Sequence, residues 1–143
     1  MIAAFAAVWV ALYVAHHIGD YWVQTPHQAD AKGWPGQHGR VACAAHVASY
    51  TLTAAVALAV VWWRLGPPLT LPHVAAGLAV SAVSHYWADR RSTLRGLVAV
   101  LDRTGQPGKL DYYDHHGGAA PLDQSWHIGW LFITALVIAG GGS

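Results

Sequence analysis

Polar side chains divide this chain into apolar runs of similar length. Residues 1–15 carry no charge, and apolar character resumes after His16, His17 and Asp20 as far as Val23. A helix of that length crosses a bilayer. The second run, residues 41–63, is interrupted by one strongly polar side chain, His46, and ends at Arg64 and the Gly66-Pro67-Pro68 breaker. The third, residues 69–88, follows at once. Residues 89–121 are polar, with Gly105, Pro107, Gly108, Gly117 and Gly118, and contain one apolar piece, residues 94–101, too short to span. The fourth run covers residues 122–139, before a Gly-Gly-Gly-Ser tail. The pattern predicts an all-α polytopic membrane protein: a four-transmembrane-helix bundle forming a single domain over residues 1–143, with an interfacial helix in the third loop. No internal repeat is visible. No Lys or Arg precedes Lys32, so the first span is expected to be retained rather than cleaved as a signal peptide.

Composition agrees. Hydrophobic residues make up 55% of the chain and charged residues 10%, against about 25% charged in soluble domains. The net charge of +1 and the lack of any phosphate-cradling or nucleic-acid module give no reason to expect a nucleic-acid partner. Charge placement is more informative than the total. Lys32, Arg40, Arg90, Arg91, Arg95, Arg103 and Lys109 flank one side of the predicted spans, and only Arg64 flanks the other. Because Lys and Arg near span ends stay in the cytoplasm, both termini are expected outside an inner membrane. Trp22, Trp87 and Trp126 at one boundary, and Trp62 and Trp63 at the other, suit interfacial belts, whereas Trp9 and Trp130 lie deeper, as packing residues. Cys43 stands alone in an apolar run, which excludes an intramolecular disulfide and a thiolate zinc knuckle.

Three spans carry a His and an Asp four residues apart: His16 with Asp20, His85 with Asp89, and Asp123 with His127. On a helix that spacing places both side chains on one face, one turn apart. His46 supplies a candidate from the remaining span, and all four sets fall at the predicted cytoplasmic ends. Gln24, Ser49, Tyr50, Thr53, Ser81, Ser84 and Thr134 extend these stripes. Polar stripes turn to the bundle interior, since lipid would leave them unpaired. An Asp at the centre of a span costs about 2.5 to 3.5 kcal/mol on insertion scales, less near its end, so three of them need a partner. A divalent cation bound by His16, Asp20, His46, His85, Asp89, Asp123 and His127 would be one. The plainer alternative is an ion network with Arg90, Arg91 or Arg95 at the membrane surface. His17, beside His16, is either an outer supporting residue or surface. His27, His38 and the Asp111, Asp114, His115, His116 cluster read as solvated loop, and His73 as interfacial.

The runs Ala15-His16-His17-Ile18-Gly19-Asp20-Tyr21-Trp22-Val23-Gln24, then Lys32, His46-Val47-Ala48-Ser49-Tyr50-Thr51, His85 to Asp89 with Arg90, and Asp123-Gln124-Ser125-Trp126-His127 resemble a family of small bacterial and phage membrane proteins. That family, catalogued as a domain of unknown function, carries A-H-x-x-G-D-F-x-x-Q, H-x-x-x-D and D-Q-x-x-H motifs in this order. The resemblance covers nearly the whole chain, with Tyr21 in place of the usual Phe and a longer, glycine-richer segment over residues 102–121. It implies a polytopic membrane location and a metal-binding motif set, adding Gln24 and Gln124 as supporting residues. It supplies no substrate.

Imidazole and carboxylate ligands without thiolate favour zinc, then manganese or ferrous iron. Four His and three Asp exceed one tetrahedral shell, and two ions roughly 3.5 to 4 Å apart would use them all. The favoured expectation is a metal-dependent hydrolase of an ester, phosphoester or amide at the cytoplasmic face, with one or two ions and with Asp20, Asp89 or Asp123 as catalytic carboxylate. Arg90, Arg91 and Arg95 are candidate contacts for a lipid or other anionic substrate. The alternative is a metal transporter, sensor or metal-stabilised membrane scaffold. The lipid bilayer is the expected partner, and a homo-oligomer is left open.

Overall fold

The computed structural model describes residues 2–142. It is helical, with no strand among the described residues. Helix α1 covers Ile2–Ile18 and continues as a π-helical turn, Gly19–Val23, whose closing bond runs from Gln24 N to Gly19 O at 2.9 Å. A short α2, Pro26–Ala31, starts in a capping box: the Thr25 hydroxyl accepts from Gln28 N while the Gln28 side chain accepts from Thr25 N. Helix α3 spans Gly36–Leu65 and stops at Gly66, whose left-handed φ of 58° suits glycine. Helices α4 (Leu71–Asp89), α5 (Ser92–Thr104), α6 (Lys109–His115) and α7 (Ala119–Ala139) complete the chain before a 3-10 turn at Gly140–Gly142.

The four long helices pack in a ring, α1 on α3, α3 on α4, α4 on α7 and α7 on α1. Three stretches are long and apolar enough to cross a membrane: Ile2–Val23, Gly36–Leu65 and Ala119–Ala139. Helix α4 has comparable length, 19 residues, but His73, Ser81, Ser84, His85 and Asp89 dilute its apolar character. The ends of the bundle differ sharply. Val8, Leu12, Leu58, Leu131, Ala135 and Ile138 fill one half, and the buried His and Asp side chains occupy the other. Burying a Leu or Ile contributes about 1.5–3 kcal/mol in water, but lipid is as apolar as these side chains. In a membrane, close fit and interhelical polar contacts have to hold the bundle together.

Helix limits differ from the hydropathy pattern where polar residues continue a helix. The apolar run of the second span begins at Val41, yet α3 starts at Gly36, just after Pro35, because residues 36–40 add a polar turn that hydropathy discounts. The segment expected as mainly loop holds two helices. Helix α5 extends beyond the apolar piece at both ends and buries Leu94 and Val98. Helix α6 was not anticipated; the Asp102 carboxylate accepts from Leu110 N at 3.1 Å and so satisfies one of its first-turn amides.

Candidate metal centre

The seven expected ligands reach one chamber from all four long helices. His16 is at the end of α1 and Asp20 in the π turn that follows. His46 lies a third of the way along α3, His85 and Asp89 close α4, and Asp123 and His127 open α7. His16, His46, His85, Asp89 and His127 are buried, the Asp20 side chain is nearly so, and Asp123 retains 28% exposure. Three sets could each present ligand atoms mutually within 4.8 Å: His16, Asp20 and His85; His46, His85 and Asp89; and Asp89, Asp123 and His127. His85 and Asp89 link the sets into one cluster.

At the centre, His46 Nε2 and His85 Nε2 are 3.0 Å apart and each is 3.2 Å from Asp89 Oδ2. Asp20 Oδ1 lies 3.4 Å from His46 Nε2 and 3.5 Å from His85 Nε2. A tetrahedral ion with bonds of about 2.0–2.1 Å separates its ligand atoms by about 3.3 Å, so both triangles have suitable edges. The other two imidazoles are oriented from outside. His127 Nδ1 donates to the Asp123 carbonyl at 2.8 Å, and Nε2 faces the cluster 4.0 Å from Asp89 Oδ1. His16 Nε2 donates to Gln124 Oε1 at 3.2 Å, and Nδ1 is 3.6 Å from Asp20 Oδ2. Such outer bonds set which nitrogen offers its lone pair.

Several inward atoms are buried without a hydrogen-bond partner: His16 Nδ1, Asp20 Oδ1, Asp89 Oδ2 and His127 Nε2. A buried unpaired polar atom costs about 1–3 kcal/mol, more when charged, and these lone pairs share one partner type, a cation. The donor set therefore fits a divalent metal. The Nδ1 atoms of His46 and His85 also lack partners, so neither imidazole has the outer support that His16 and His127 have. Tyr50 roofs the chamber against the apolar half, its ring 3.9 Å from that of His85 and its hydroxyl 3.0 Å from Ser81 Oγ.

The sequence marks Lys32 as a topology charge and as part of the motif series, without a place at the site, and the structure gives it one. Its Nζ is 2.8 Å from Asp89 Oδ1, with the side chain 11% exposed. The available signal was its place in the motif series between the first two spans. Arg90 and Arg91 hold the segment that delivers it. The Arg90 guanidinium donates to the carbonyls of Lys32 and Trp34, both at 2.5 Å, and Arg91 to that of Ala29 at 2.9 Å. Among the described residues Asp89 pairs with Lys32 and with no arginine, and Arg95 binds Asp114 through two hydrogen bonds. Arg91 also lines a polar cleft of about 320 Å³ with Gln24, Lys32, Asp89, Tyr113 and Asp123.

Other polar candidates lie apart. His17 turns outward between Tyr13 and Tyr21, at ring distances of 4.6 and 5.7 Å. His27 and His38 contact each other outside the chamber. On α6, hydrogen bonds from His115 and His116 hold the exposed Asp111 carboxyl below its ordinary value, and the Arg95 guanidinium does the same for Asp114. No protein-family model, no curated protein and no solved structure matches this chain.

Proposed function

We propose that this chain is a four-span inner-membrane protein whose His/Asp chamber binds a divalent metal, zinc before manganese or iron, and hydrolyses an ester, phosphoester or amide at the cytoplasmic face. The single supporting observation is the convergence of four imidazoles and three carboxylates, with unpaired inward lone pairs, beside a polar cleft. A bound ion would supply an activated water and polarise the scissile bond. Within the chain, Asp123 has the exposure and the cleft position of a general base, Asp20 and Asp89 serve as ligands, and Lys32 and Arg91 face an arriving anionic oxygen. Helix α4 then crosses the membrane with the others, α5 lies along the interface, and seven of the eight cationic side chains remain inside. Kinship with the small membrane-protein family belongs to the same proposal and rests on its motifs.

Hydrolysis is favoured over transport because the chamber opens beside a cleft at one end, while the apolar cluster under Tyr50 fills the other half; transporters place their sites near the midplane with alternating access. It is favoured over a closed structural site because Asp123 is partly exposed. The test is metal content by elemental mass spectrometry on detergent-purified protein, beside an Asp89→Ala, Asp123→Ala variant. Metal that copurifies and vanishes in the variant supports the centre, and a lipid-ester and phosphoester screen follows. Absence of metal in well-folded protein overturns it.

A further inference from the structure

We infer that Asp89 Oδ1, Asp123 and His127 form a second cation subsite whose occupant is the ammonium of Lys32, so that the centre holds one divalent ion and a tethered cation instead of two metals. The inference rests on the metal-centre proposal and gives its stoichiometry. Asp89 divides its oxygens between two neighbours: Oδ2 faces His46 and His85 at 3.2 Å, whereas Oδ1 is 2.8 Å from Lys32 Nζ and 4.0 Å from His127 Nε2. Asp89, Asp123 and His127 are one of the three sets close enough together to hold a cation, and Lys32 and Asp123 line the same cleft. Lys32 thus bonds the oxygen that a bridging carboxylate would give to a second ion.

Charge supports the same count. With neutral imidazoles, Asp20, Asp89 and Asp123 bring three negative charges, which Lys32 and one divalent ion balance. A second divalent ion beside Lys32 would leave two positive charges in a mostly buried chamber, where uncompensated charge is strongly disfavoured. The placement of Lys32 is built in, since Arg90 and Arg91 bond the carbonyls of Ala29, Lys32 and Trp34 and fix the segment over the cleft. Its partial exposure also lets the ammonium meet an anionic substrate oxygen beside the ion.

The experiment is zinc stoichiometry by elemental mass spectrometry after chelator stripping and reloading with zinc alone, on full-length protein checked for helicity and monodispersity. One equivalent is expected in the wild type, two in Lys32→Met, one in Lys32→Arg, and one again in Lys32→Met with Asp123→Asn, which removes a ligand of the second subsite. Two equivalents in the wild type, or one in folded Lys32→Met, overturn the inference. If Lys32→Met does not fold, the wild-type count decides, two overturning it and one supporting it. Zinc in none of the proteins instead overturns the metal-centre proposal beneath it.

Discussion

Residue by residue, the chamber depends on which imidazole nitrogen is held from outside. Gln124 and the Asp123 carbonyl do this for His16 and His127, and loss of an outer partner commonly weakens metal binding by about 10–100-fold. Gln124→Leu is therefore expected to lower zinc affinity by about one to two orders of magnitude without changing helicity, as measured by chelator competition. An unchanged affinity would mean that His16 is not a ligand. The His/Asp pairs were legible in the sequence because a four-residue spacing is a property of one helix. The role of Lys32 was not, because Lys32 lies outside the long helices and meets Asp89 only after α2 and the following turn bring it back over the end of α4.

Among the elements, the seam between α4 and α7 depends on a glycine, Gly77. A Cβ on Gly77 would run into the Ile138 side chain and come near the Thr134 carbonyl. Small residues at such points let membrane helices close on each other. Gly77→Val should force the helices apart and cost about 1–3 kcal/mol, read as a lower thermal midpoint in detergent, with zinc content falling too because His85 and His127 share the seam at a ring distance of 4.2 Å. Helix α6 responds to acid instead. The Asp111 and Asp114 carboxyls sit below their ordinary value of 3.8 through His115, His116 and Arg95. Groups lowered in the folded state contribute stability above the ordinary range and lose it as pH falls through their lowered values. Backbone NMR shifts of residues 109–115 should move toward coil values below about pH 4 while those of α7 hold.

For the whole molecule, charge and aromatic placement are the basis of the proposed orientation. Trp22 and Trp63, 86% and 80% exposed, stand at opposite ends of the bundle, as interfacial anchors do. Single cysteines test the topology, native Cys43 being buried. A membrane-impermeant maleimide should label Pro68→Cys in intact cells and Gly105→Cys only after lysis. The reverse pattern would put the chamber outside the cytoplasm and remove the basis for a cytoplasmic substrate.

The helical class, the principal apolar runs, the side carrying most of the cationic residues and the seven His and Asp candidates could all be read along the chain. Each follows from hydropathy or from helical spacing, which are local. Convergence of the seven was an expectation from their stripes; the packed helices supplied its geometry, turned one Asp89 oxygen to the imidazoles and the other to Lys32, and set Arg90 and Arg91 to hold the segment carrying Lys32. These depend on distances between helices far apart in the chain, and on a π turn that sets the direction of Asp20, neither of which a one-dimensional pattern records.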